Sequence, residues 1–115
     1  MDDPVLGRRF TAELDMCDLD ERLRPGPPWV ARSVAISRSR LWLRSRRMCY
    51  PESRVATVFH MPDAEPVILV GIVRRCEYDT DSMYSLELEL VPPPNRAAID
   101  AILSLAMRGR KGVAA

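Results

Sequence analysis

Along most of the chain, apolar and polar residues alternate with a period of two, the spacing of half-buried β-strands. Phe10, Ala12, Leu14 and Met16 alternate with polar neighbours, which predicts a first strand over Phe10 to Asp18. The breaker RPGPP at 24–28 ends that unit. Trp29 to Ile36 and Leu41 to Arg46 read as two further strands, joined through the polar segment SRSR at 37–40. YPES at 50–53 turns the chain, and RVATVFHM at 54–61 is a fourth strand. After the loop PDAEP, the segment VILVGIVRRC at 67–76 is apolar at successive positions, which predicts a strand covered on both faces. DTDS at 79–82 reads as a hairpin turn into MYSLELELV. In that last strand Leu86, Leu88 and Leu90 point inward, with Ser85, Glu87 and Glu89 outward. Connections this short imply antiparallel pairing.

The period then changes. PPP at 92–94 stops the sheet, Asn95 can cap a helix N-terminus, and Ala98, Ile99, Ile102, Leu103 and Ala106 form a stripe at helical spacing. Arg108 suits the helix C-terminus and Gly109 a left-handed cap, with RKGVAA beyond it as a frayed tail. Six strands and one terminal helix in 115 residues predict a mainly β fold. A small six-stranded antiparallel β-barrel is expected, because closure removes exposed edges. The helix stripe is expected to cover one opening or one side of it. The length fits a single domain over 1–115.

Composition narrows the class. A hydrophobic fraction of 47% and a charged fraction of 29% describe a globular chain rather than a disordered one. The net charge of +1 argues for neither nucleic acid nor membrane, but its distribution is uneven. Asp2, Asp3, Glu13, Asp15, Asp18, Asp20 and Glu21 crowd the start, whereas Arg22 to Pro51 contains no acid at all. That acid-free stretch holds Arg32, Arg38, Arg40, Arg44, Arg46 and Arg47, and Lys111 is the chain's only lysine. Arginine suits bidentate phosphate binding, and a GC-rich genome produces the same bias. MDDPVLGRRF starts acidic without an apolar run, unlike a signal peptide, and VILVGIV is far short of a membrane span. Cys17, Cys49 and Cys76 are odd in number and lack paired spacing, which suggests neither a disulfide framework nor a zinc site. A reducing, cytoplasmic setting is expected. With one histidine, no nucleophile elbow and no glycine-rich phosphate loop, neither an enzyme, a metal nor a cofactor is expected.

Several segments together carry a family resemblance. An Arg pair precedes the first strand in GRRFTAEL, a second strand runs into the hexad AISRSR at 35–40, and the apolar LWL follows. YPESRVATVFHMPDAEPVILVGIVRRC then gives a strand, a loop and a V-x-G-x-V-x-R type strand, and YSLELELVPPPNRAAIDAIL a last strand and helix. In this order of parts the chain resembles the PilZ domain family, bacterial receptors for cyclic di-GMP, over nearly its whole length. The resemblance implies a β-barrel signalling module with a ligand site at Arg8, Arg9, Ser37, Arg38 and Arg40. The family's two motifs are Arg-x-x-x-Arg and Asp/Asn-x-Ser-x-x-Gly. Here Arg8 or Arg9 stands for the first arginine, the second falls on Ala12 or Glu13, and Ser37 matches. Ala35 replaces the acid or amide, and Arg40 replaces the glycine.

Three functions follow in order: a cyclic di-GMP receptor, a degenerate PilZ-like module acting on a protein partner, and, less favoured, a nucleic-acid-binding barrel using the arginines and Trp42. The plainer readings run alongside. Arginines at alternating strand positions also describe a solvated face, and Ser37 and Ser39 are common turn residues. Trp42 suits packing or a covered surface better than a base-stacking platform. Arg74 and Arg75 can pair with Glu77 or Asp79, and His60 suits a core or edge position rather than catalysis.

Overall fold

The computed structural model describes residues 7–114, with side chains described through residue 107. Its elements are β1 (Arg8–Arg9), β2 (Glu13–Leu19), β3 (Trp29–Ile36), β4 (Arg40–Ser45), β5 (Arg54–Phe59), β6 (Val67–Tyr78), β7 (Tyr84–Val91) and α1 (Arg96–Ala114). The strands follow the order β1-β3-β2-β5-β6-β7-β4, and the additional pairing of β3 with β4 closes the sheet. The result is a closed six-stranded antiparallel barrel, β2 to β7, with β1 as an extra strand alongside β3.

Strand alternation fills the barrel. Leu14 and Met16 of β2, Leu41 and Leu43 of β4, Val55 of β5, Val73 of β6, and Leu86 and Leu88 of β7 all meet in one buried cluster. The inward leucines of β7 are therefore where the alternation places them. A second core lies outside the barrel wall, where Cys17, Leu19, Ala56, Val58 and Val70 meet Ile102 and Ala106 of α1, with Leu103 partly buried beside them. The helix thus covers a side, against β2, β5 and β6, rather than an opening. This explains why β6 lacks alternation: Leu69 and Val73 face the barrel while Ile68 and Val70 lie under α1. Asn95 caps the helix, its Oδ1 accepting the Ala98 N–H at 2.9 Å.

Two expectations are corrected. The first strand is not continuous over Phe10 to Asp18: it is broken between Arg9 and Glu13, although Phe10 and Ala12 still pack on the barrel core. Gly109 does not end the helix, which runs on to Ala114. A glycine inside a helix costs only about 1 kcal/mol relative to alanine, and Met107, Arg108, Arg110 and Lys111 around it are strong helix formers. The cap assigned to the Arg108 side chain lies outside the described side chains. The DTDS turn holds, with Asp81 and Ser82 both at positive φ (63° and 60°), the mirror-image turn that suits the strand twist of hairpins.

Two of the cysteines, Cys17 and Cys49, are buried. Burial pushes the Cys17 thiol up to about 11 and the Cys49 thiol up to about 12, so both remain protonated at neutral pH. All three cysteines are free thiols.

Ile102 is 1% exposed and is the centre of the helix–barrel contact. Ile102→Ala should therefore destabilise the fold by about 2–5 kcal/mol, measured by chemical denaturation. A loss below about 1 kcal/mol, the range of a surface position, would mean that α1 contributes little to the fold.

Candidate functional site on the face of β3 and β4

The hexad Ala35–Arg40 spans the end of β3 and the turn into β4. Ser37 closes the turn: its N–H donates to the Arg40 carbonyl at 2.9 Å, and its Oγ accepts the Arg40 N–H at 3.1 Å. Arg38 and Ser39 form the exposed tip. Ser37 is thus a turn residue, with its O–H left over as a donor.

β1 comes back over this region. Arg8 pairs with Ile36 and Arg9 with Ala35, so cross-strand register puts Arg9 on the outer face with Ala35 and Trp42. One buried hydroxyl sets this return. Ser33, 1% exposed, donates to the Phe10 carbonyl at 2.6 Å and accepts the Ala12 N–H at 2.9 Å, satisfying backbone groups where β1 and β2 separate. Gly7 completes the approach. At φ 77° its missing Cβ would stand 2.5 Å from Trp42 Cζ3 and 2.9 Å from the Ile36 carbonyl oxygen, so only glycine fits. Trp42 is accordingly a half-covered surface residue, its Nε1 donating to Glu87 Oε1 at 3.2 Å.

The arginines of the acid-free stretch divide into two groups. Arg40 pairs with Glu87, Arg44 with Asp79 (3.1 Å), and Arg47 with Asp18 (3.1 Å) while lying 4.3 Å over the Trp29 ring. Every one of these acids comes from another strand or turn. Arg32, Arg38 and Arg46, and outside the stretch Arg9 of β1, are exposed and have no ion pair among the described residues. Of the residues expected at the ligand site, Arg8, Arg9, Ser37, Arg38 and Arg40 are brought together around one turn, but Arg40 is tied to Glu87.

Two bulges shape the outer face. The β3–β4 register shifts between Ser33 and Ala35, and the β6–β7 register between Val73 and Arg75. Each places two consecutive residues outside, Val34 with Ala35 and Arg74 with Arg75. Arg74 binds Glu52 (2.6 Å) and Glu89 (3.2 Å), and Arg75 approaches Glu77 at 3.7 Å. The pairing of Arg75 with Glu77 is as expected, whereas Arg74 and Asp79 take other partners. His60 follows β5 and bonds Asp15 Oδ2 through Nε2 at 2.7 Å, an edge position.

Beside the hexad lies an open groove of about 620 Å³ between β3, β4 and the hairpin of β6 and β7, floored by Val34, Ala35, Trp42, Leu43 and Leu86 and walled by Arg44, Asp79, Thr80 and Ser85. The backbone N–H of Thr80, with the Arg44 guanidinium beside it, holds the Asp79 carboxyl below its ordinary value. The sequence carried no signal for this groove, because its walls depend on the bulge at Val34 and on a turn residue meeting β4. Among the described residues no three His, Cys, Asp or Glu side chains gather where a metal could sit. No helix there is long and apolar enough to cross a membrane.

Ser33→Ala should leave the half-buried Ala12 N–H without its acceptor and cost about 1–3 kcal/mol. Amide hydrogen exchange at Phe10 and Ala12 should accelerate selectively. Protection unchanged at both amides would show that Ser33 does not hold β1 against β3. No family model, curated protein or solved structure matches the chain.

Proposed function

We propose that this chain is a PilZ-like regulatory module that receives cyclic di-GMP at the turn between β3 and β4, through Arg9 and Arg38 with Ser37. One observation carries this reading. The register of β1 on β3 sets Arg9 beside the hexad whose tip is Arg38, and neither arginine has an ion pair among the described residues. Two uncommitted guanidinium groups flanking one turn suit a ligand with two phosphates, each able to take paired N–H donors. Arg8 belongs to the same short strand and extends the positive edge.

A second reading is favoured by the Arg40–Glu87 pair. In the PilZ pattern a glycine keeps the position of Arg40 bare. Here a guanidinium and a carboxylate meet beside it, and Ala35 offers no side-chain acceptor for a guanine edge. A module with its nucleotide contacts replaced in this way would act as an adaptor for a protein partner.

Calorimetric titration with cyclic di-GMP separates the two. A hydrogen bond to a charged group contributes roughly 1.5–3 kcal/mol. Arg9→Ala and Arg38→Ala should therefore each weaken binding roughly ten- to hundredfold, and added salt should weaken it further. Unchanged affinity in both single variants and in the pair would reject the site.

The replaced residues give a complementary test. Ala35→Asp combined with Arg40→Gly supplies the acceptor and removes the long side chain, freeing Glu87 to keep only Trp42 Nε1. Binding by this double variant but not by the natural chain would mark the chain as a degenerate receptor and favour the adaptor reading. Tight binding by the natural chain, lost in Arg40→Gly alone, would instead make Arg40 a ligand contact.

A further inference from the structure

Two arginines belong to the turn between β3 and β4, and they differ. Arg38 has no ion pair among the described residues, whereas Arg40 is held by Glu87. The register makes this pairing diagonal: across β4 and β7, Arg40 stands opposite Glu89 and Trp42 opposite Glu87. Glu89 is bound by Arg74 at 3.2 Å, and Arg40 reaches past it to the next outward carboxylate. Glu87 is thereby engaged twice, Oε2 accepting from Arg40 Nη1 and Oε1 from the Trp42 indole N–H at 3.2 Å. Arg75, its neighbour on β6, approaches Glu77 instead, at 3.7 Å.

The backbone of Arg40 is fixed while its side chain is not. Its N–H donates to Ser37 Oγ at 3.1 Å and its carbonyl accepts the Ser37 N–H at 2.9 Å. Arg38 and Arg40 therefore keep their spacing whichever anion the Arg40 guanidinium meets. The Arg40 side chain is 38% exposed and that of Glu87 23%, so the pair lies at the surface, where ion pairs are weak and exchange readily. A phosphate group presents a guanidinium with the same paired oxygens as a carboxylate. Arg40, Trp42 and Arg9 share the outer face, so a released Arg40 guanidinium is on the side where Arg9 lies.

We propose that Glu87 is an autoinhibitory carboxylate: it stands in for a ligand phosphate at Arg40, and a phosphate bound at the turn displaces it, so that Arg40 joins Arg9 and Arg38. The inference rests on the reading of the turn as a phosphate-receiving site, and adds Glu87 as the residue that sets its affinity. Trp42 Nε1 keeps its bond to Glu87 after the exchange, so the displaced carboxylate stays on the face and competes for Arg40.

Calorimetric titration of the natural chain, Glu87→Gln, Arg40→Ala and the double variant, with cyclic di-GMP and with inorganic pyrophosphate, tests this. Glutamine keeps the size of the side chain and an acceptor for Trp42 Nε1, and removes only the charge. Glu87→Gln should bind at least about threefold more tightly than the natural chain. That gain should vanish when Arg40→Ala is also present. Glu89→Gln removes an equal charge from the same face without touching the Arg40–Glu87 pair. An equal gain there, or a gain in Glu87→Gln that survives Arg40→Ala, would reduce the effect to net charge and overturn the proposal. One measurement needs no variant: the Arg40 Nε–H resonance of the natural chain should shift on saturation, and an unmoved resonance would overturn it as well. Gain with pyrophosphate alone would keep Glu87 in this role and remove cyclic di-GMP as the ligand. Cyclic di-GMP binding that depends on Arg9 and Arg38 but is unchanged by Glu87→Gln would overturn the role of Glu87 and leave the turn reading standing. No binding of either ligand, by the natural chain or by Glu87→Gln, would overturn both.

Discussion

Closure of the sheet through β3 and β4 is the constraint on which the rest of the molecule depends. An open six-stranded sheet would leave two rows of backbone donors and acceptors unpaired. Pairing Ala31 with Ser45 through Ile36 with Leu41 removes both rows and fixes the inside and outside of every strand. Once Leu41 and Leu43 are committed to the interior, Arg40, Trp42 and Arg44 must lie on the outer surface. Their pairing with β7 in turn sets them against Glu89, Glu87 and Ser85. The charge pattern of the face is therefore a consequence of how the barrel is closed.

This resolves why so much positive charge collects in an acid-free stretch. Its acids are supplied from distant sequence, by β7, by the turn after β6 and by β2. The glutamates of β7 stand between arginines of β4 on one side and of β6 on the other, since Arg40 takes Glu87 and Arg74 takes Glu89. Exposed ion pairs of this kind contribute little to stability, about 0–1 kcal/mol each. Their larger effect is on what the surface can receive. Arg40 carries a tethered carboxylate and Arg32 faces Glu13 of β2, whereas Arg9 and Arg38 have no ion pair among the described residues.

What could be read from the sequence follows the strength of the local pattern. The alternation of Leu86, Leu88 and Leu90 and the helical stripe around Ile102 are repeated signals, each backed by burial, and they locate both cores. The two-faced apolar run of β6 correctly implied a covering layer, though only the fold shows that α1 supplies it. Single-residue effects were not legible. The break at Phe10–Ala12 depends on one buried hydroxyl, Ser33, lying |i−j| = 21 to 23 residues away. The bulges at Val34 and Arg74 depend on register across two strands. Gly109 shows the reverse error, a strong local stop signal outweighed by the helix formers on either side of it.

The turn residues of the candidate site illustrate how one local change propagates. With glycine at the position of Arg40, Glu87 would retain only the Trp42 indole N–H and would stand on the outer face as an uncompensated carboxylate. With arginine there, Glu87 is neutralised and Trp42 is held between that carboxylate and Gly7. Arg40, Glu87, Trp42 and Gly7 thus form one contact chain, and it leads to β1, which carries Arg8 and Arg9. A substitution at the turn therefore acts on the strand that returns over it as well as on the space beside it. The identity of the hexad's last residue and the placement of the arginine pair are coupled through the Trp42 ring, so substitutions at the two positions are expected to be non-additive.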